Sequence, residues 1–233
     1  MINIKSKMNK IKEAVKSLKE GNFVLIHDSS GRENETDFVM AAEFVKPEHI
    51  AQMRNDGGGL ICVSIDKRIS DKLGLPFYAD IHKEASDKFP VLGLLKANDI
   101  PYDEKSSFSL CINYRKTFTG VTDNDRAMTI KKFAEVCKNP SPEEFGKQFR
   151  SPGHVHLLIS SGLENREGHT ELSTALVEMA GLNSVSVICE MMDDETHNAV
   201  SRDKAFEYAQ KHGLVFLEAG EVKEEFYRFK NLI

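Results

Sequence analysis

Apolar and polar positions along this chain follow two periods, and the switches between them mark the expected elements. Met8, Ile11, Val15 and Leu18 recur at helical spacing and stop at Gly21, which predicts an amphipathic first helix with a glycine terminator. Apolar runs at 23–27 and 38–45 predict strands. A helix is expected from Pro47 to Asn55, broken by Gly57-Gly58-Gly59, and L-I-C-V-S-I at 60–65 reads as a strand. Three adjacent glycines imply either unusual backbone angles or close approach of the backbone to a ligand. Between 76 and 118 the pattern weakens. Residues 80–88 have the composition of a polar loop, which makes 80–90 a candidate lid, and S-F-S-L-C-I-N-Y at 107–114 reads as a strand. Asp123 is the expected N-cap of a helix with Ala127, Ile130, Ala134 and Cys137 on one face. Ser141-Pro142-Glu143-Glu144 is a capping box with proline in the first helical position. Strands at 154–159, 185–191 and 214–218 alternate with helices at about 170–180, at 201–212 and at the C-terminus. Interleaved helices and strands, with opposed short strands around 28–37, predict one α/β-type domain over 1–233 with a mixed sheet.

Composition narrows the class. The chain has 233 residues, 40% of them apolar and 29% charged, enough for a substantial core without covalent staples. A net charge of -5 gives no basic footprint for nucleic acid. No apolar run reaches the length of a membrane span, and the N-terminus lacks the apolar stretch of a secretory signal, so a cytoplasmic protein is expected. The four cysteines are widely spaced with no C-x-x-C pair, and they read as free thiols.

The chemistry lies in short polar stretches. R-E-N-E-T-D at 32–37 interrupts two apolar runs. In an extended chain Glu33, Glu35 and Asp37 would share a face and repel unless a cation or a donor-rich ligand neutralised them; an exposed turn is the other reading. N-R-E-G-H-T at 165–170 stands before a helix, where Arg166, Gly168 and Thr170 form an anion cradle or, alternatively, a cap beside a solvated arginine. The helix dipole there is expected to keep His169 neutral, which suits metal ligation. His154 and His156, in S-P-G-H-V-H-L-L, share a strand face. Glu190 ends an apolar strand, where a carboxylate is either ion-paired or an acid/base. F-T-G-V-T-D-N-D-R at 118–126 is a polar loop whose Thr119, Thr122 and Asn124 are possible hydroxyl-binding groups.

The order of these motifs is more specific than any one of them. R-E-N-E-x-D, G-G-G-L-I-C-V, T-G-V-T-x-N-D-R, P-G-H-V, R-x-G-H-T-E and I-C-E, from about residue 10 to 218, closely resemble the 3,4-dihydroxy-2-butanone 4-phosphate synthase family of riboflavin biosynthesis. The resemblance implies a three-layer α+β fold around a mixed sheet, a homodimer with sites near the interface, and magnesium-dependent conversion of ribulose 5-phosphate to formate and the four-carbon product. It implies Glu33 and His169 as metal ligands that also face the substrate. It places Arg32, Asp37 and the loop Arg166, Glu167, Gly168, His169 and Thr170 at the substrate, and makes His154 and Glu190 essential for catalysis, with Asp37 beside them. Three departures stand out: Thr36 where glycine is usual, Asp28 alone of an acidic run, and Glu167 inside the proposed cradle. The GTP cyclohydrolase II-like unit sometimes fused in this family is not expected in these 233 residues.

The implied chemistry suits the residues. Enediol formation, loss of water and a carbon-skeleton shift need a Lewis acid on adjacent oxygens. One carboxylate and one histidine leave room for water and sugar oxygens, as magnesium sites do, and a histidine ligand also admits manganese. His154 and Glu190 are the candidate proton carriers. The phosphate would anchor the sugar at 166–170.

Overall fold

Residues 4–96, 98–103 and 105–232 are described by a computed structural model of the chain. Its helices are α1 (Ile4–Lys19), α2 (Pro47–Gln52), α3 (Lys67–Leu73), α4 (Tyr78–Ala85), α5 (Pro90–Leu94), α6 (Asp123–Val136), α7 (Pro142–Gln148), α8 (His169–Met179), α9 (Arg202–His212) and α10 (Ala219–Leu232). Its strands are β1 (Val24–His27), β2 (Thr36–Ala41), β3 (Cys62–Ile65), β4 (Phe108–Tyr114), β5 (Phe149–Ile159), β6 (Val185–Glu190) and β7 (Val215–Glu218). They form one seven-stranded sheet in the order β4-β5-β3-β6-β2-β1-β7. The β1–β7 and β3–β5 pairs are parallel and the other four antiparallel, which gives the expected mixed sheet.

Strands β1, β2 and β3 are buried at every position, because helices cover both faces of the sheet. Phe38, Val63 and Val187 point to one side, where they meet Ile130 and Phe133 of α6 and Ala205 and Ala209 of α9. Val24, Ile26, Val39 and Ile188 point to the other, against Leu18 of α1, Leu172 and Leu176 of α8, and Val222 of α10. Helix, sheet, helix: these are the three layers of an α+β fold.

Several boundaries differ from the sequence-based expectation. The strand read at 38–45 is β2, which starts at Thr36 and gives way to a 3-10 turn at Ala42–Phe44, so Thr36 and Asp37 are strand residues. Strand β5 starts at Phe149, because Phe149 packs with Phe133 and Phe145 before the histidines begin. Helix α6 is capped by Thr122, whose hydroxyl accepts the Asp125 N–H at 3.1 Å, and Asp123 is the first helical residue. The polar stretch at 80–88 is largely helix α4. Tyr78, Ile81, His82 and Ala85 have helical spacing, a signal hidden by the polar residues between them.

The register sets up the site. Asp37 pairs with Ile26 on one side and Glu190 on the other, so the three side chains lie in one row on the α8 face.

Candidate metal centre and anion cradle

Asp28 organises the polar stretch after β1. Its buried carboxylate accepts the backbone N–H groups of Glu33 (3.1 Å) and Glu35 (3.0 Å), and its own N–H donates to the Glu35 carbonyl at 3.0 Å. Asn34 turns the chain at φ 57, a left-handed conformation that asparagine tolerates, while Thr36 is extended inside β2 and needs no glycine. The segment is therefore not extended, and Glu33 and Asp37 reach one point from a turn and a strand.

That point is His169. Glu33 Oε2 lies 3.4 Å and Asp37 Oδ1 3.6 Å from its Nδ1. Ligand atoms of Asp28, Glu33 and His169 all lie within 4.8 Å of one another. The other ring nitrogen, Nε2, donates to the Ile26 carbonyl at 3.2 Å, which leaves Nδ1 aimed at the carboxylates. Burial opposes charge on His169, but Asp37, Glu33 and Asp28 outweigh it and raise the ring to about 9. The neutral ring expected from the helix dipole is the form that would ligate a cation; without one, full carboxylate charges at this range exceed the partial charge of a helix end and favour the charged ring, whose Nδ1 proton a bound cation would displace. Burial pushes Glu33 up, but His169 and Arg32 hold it below the usual carboxylate range. Asp37 is pushed well up by burial, and its Oδ1 has no hydrogen-bond partner. Glu35 is raised by burial and by Glu33 and Glu190. An oriented imidazole, crowded carboxylates and an orphaned buried carboxylate oxygen fit a hard divalent cation.

Beside this centre, α8 begins at its N-cap Gly168. A Cβ there would sit 2.3 Å from an Arg166 guanidinium nitrogen and 2.8 Å from one of Arg32, so both arginines close over the glycine. Asp103 bridges them, its Oδ2 accepting from Arg32 (2.5 Å) and from Arg166 Nε and Nη2 (2.9 and 2.7 Å). Buried Glu171 takes the remaining Arg166 nitrogen at 2.6 Å, and Tyr102 stacks under Arg32 at 5.2 Å. Two guanidiniums at a helix N-terminus form an anion cradle. Thr170 is buried in the first turn. Glu167 turns outward, half-exposed, to pair with Lys223.

Glu190 accepts the Leu60 N–H at 2.7 Å. A Cβ at Gly59 would lie 2.4 Å from the Glu190 carboxylate, and Gly58 takes φ 88. The glycine run therefore serves both backbone angle and close approach, but what it approaches is Glu190. One cavity of about 280 Å³ is lined by Glu33, Asp37, Arg166, His169, Thr170 and Glu190. His154 does not line it: it is exposed on β5, held by Asn113 of β4. Asp103, Tyr102, Glu171 and Asn113 escaped the sequence reading. Asp103 and Tyr102 sit where periodicity fades, and Glu171, the last residue of R-x-G-H-T-E, stood in that motif without a role.

A sequence model of the 3,4-dihydroxy-2-butanone 4-phosphate synthase family matches residues 12–225. The synthase of Methanothermobacter thermautotrophicus is 53% identical over 95% of this chain and 97% of its own, and that of Archaeoglobus fulgidus is 45% identical over 94% and 95%. A solved synthase in complex with two magnesium ions is 26% identical, with a TM-score of 0.74 over 91% of this chain and 93% of that one.

Proposed function

The chain belongs to the 3,4-dihydroxy-2-butanone 4-phosphate synthase family, and from that premise we propose that it converts D-ribulose 5-phosphate to formate and 3,4-dihydroxy-2-butanone 4-phosphate. It is a lyase of riboflavin biosynthesis. The observation that carries the specific reading is His169. Its Nε2 is committed to a backbone carbonyl, while its Nδ1 faces Glu33 beside two closed arginines. Glu33 and His169, with Asp28 adjacent, would hold magnesium, and manganese would substitute for it. When bound, the ion supplies Lewis-acid stabilisation of charge on adjacent sugar oxygens.

The protein's own groups do the rest. Arg32, Arg166, Gly168, Thr170 and the backbone of Glu167 bind the phosphate at the start of α8, which fixes the sugar in the cavity. Glu190 and Asp37, neighbours across β6 and β2, bracket that cavity as acid/base groups, and burial pushes the Asp37 carboxyl well above the usual carboxylate range. His154, exposed on β5 and outside the cavity lining, keeps the essential role that the family resemblance gives it. A second copy of the chain would cover the exposed Phe118 and Val121 of the neighbouring loop, which brings the sites close to a dimer interface. The chain acts as a single catalytic domain.

Purified protein incubated with ribulose 5-phosphate and magnesium releases formate, and EDTA stops it. No formate with metal present overturns the reading. Light scattering at assay concentration gives the mass of a dimer; a monomer with full activity removes the second copy from the site.

A further inference from the structure

Asn113 is buried on β4, 3% exposed, and both ends of its side-chain amide are committed. Oδ1 accepts the backbone N–H of His154 at 2.9 Å. A backbone N–H can only donate, so the atom facing it is the amide oxygen, and the amide cannot be turned over. Nδ2 therefore faces His154 Nδ1 at 3.1 Å and the Thr119 carbonyl at 3.4 Å. An NH₂ group can only donate, so Nδ1 accepts, and the neutral ring carries its proton on Nε2.

Two motifs that the metal centre does not use converge on this amide. A Cβ at Gly120 of T-G-V-T, where φ is +92, would sit 2.1 Å from Asn113 Nδ2. A Cβ at Gly153 of P-G-H-V would sit 2.0 Å from the Ile112 carbonyl carbon. Both glycines let backbone close around Asn113 and the start of the His154 segment. His156 lies two residues on along the same strand, and among the described residues no carboxylate is hydrogen-bonded to the His154 ring.

We infer that Asn113 is a positioning residue that fixes His154 as a neutral Nε2–H donor, so that His154 stabilises a developing oxyanion by hydrogen bonding and transfers no proton. In this tautomer Nε2 has no lone pair with which to remove a proton. Losing its own proton would leave an imidazolate, unless Nδ1 gained one, which would set two donors face to face. Hydrogen-bond donation remains, as neutral imidazoles do toward enolising phosphosugars. Proton transfer then falls to Glu190 and Asp37. What His154 acts upon rests on the synthase reading; its tautomer does not.

The test joins a spectrum to a rescue. In ¹⁵N-histidine-labelled protein, with His154 assigned by its loss in His154→Gln, Nδ1 resonates as an unprotonated nitrogen and Nε2 as a protonated one. Asn113→Asp keeps the bond to the His154 N–H but presents a carboxylate to Nδ1, and the pattern inverts. His154→Ala lowers formate turnover by about 10²–10³-fold, the usual loss of one oxyanion donor, and His154→Gln, which keeps an N–H, recovers about tenfold or more of it. A protonated Nδ1 in the unaltered protein, or a Gln variant as poor as Ala, overturns the inference. If Asn113→Asp does not fold, the spectrum of the unaltered protein decides alone. If the unaltered protein makes no formate, the synthase reading falls while the spectrum still tests the tautomer.

Discussion

Two polar clusters serve this molecule, and they are built on opposite principles. At the metal centre, Asp28, Glu33, Asp37 and His169 crowd together with charge unbalanced and Asp37 Oδ1 without a hydrogen-bond partner. At the β4–β5 end, Asn113 and His154 are matched donor to acceptor with no carboxylate between them. The first arrangement costs stability and holds a strong field ready for a cation; the second costs little and holds a direction. A site assembled from both separates the group that must bind charge from the group that must only point.

The sharpest way to break that contrast is Glu33→Ala. Without this ligand, formate turnover falls by about a thousandfold, equivalent to several kcal/mol of Lewis-acid stabilisation, while circular dichroism is unchanged. Undiminished turnover would remove Glu33 from the centre. Next comes Gly168→Ala, which places a methyl against both guanidiniums and lowers kcat/KM for ribulose 5-phosphate by about 10²-fold in steady-state kinetics. Unaltered kinetics would show that the arginines do not hold the phosphate.

A stability comparison tests the two principles directly. Asp37 has its folded pKa raised well above the unfolded value, so above that unfolded value its charge costs stability. Asp37→Asn therefore raises the melting temperature of metal-free protein by about 2–4 °C per kcal/mol relieved, even as activity drops. Asn113→Ala, which leaves polar partners unpaired, costs about 1–3 kcal/mol and lowers it. If both shifts have the same sign, the contrast fails. The smallest effect is a control outside the site. Lys204 and nearby backbone N–H groups hold Asp193 down to about 2. Its contribution is present above the unfolded carboxylate pKa and fades as pH falls toward about 2, so Asp193→Asn flattens acid unfolding slightly in that window. An unaltered acid limb would assign the titration elsewhere.

How much of this was legible varies with the range of the interaction. Core-facing helices announced themselves through local period, as Ile11 and Leu18 do in α1. Glu33, Asp37, Arg166, His169 and Glu190 were legible because each sits in a short motif whose order is distinctive. Asp103 was not: it meets Arg32 from 71 residues away and Arg166 from 63, in a stretch without periodicity. The surroundings of His169 were only half legible, because the local dipole is visible in sequence while the carboxylates around the ring are brought in by tertiary packing. Asn113 lies in a run that reads only as a strand; its meaning comes from a partner on β5, 41 residues on.

Asp103 gives the cradle one further property. Its carboxylate already lies between Arg32 and Arg166, so the pair is engaged before any ligand arrives. An incoming anion meets an exchange reaction instead of an empty seat: its measured affinity is the difference between two anions, one tethered to the chain and present at a fixed effective concentration. Weak, nonspecific anions compete poorly against such an occupant. A ligand that brings sugar contacts along with its phosphate has the means to dislodge it, so selectivity begins at the first collision with the arginines.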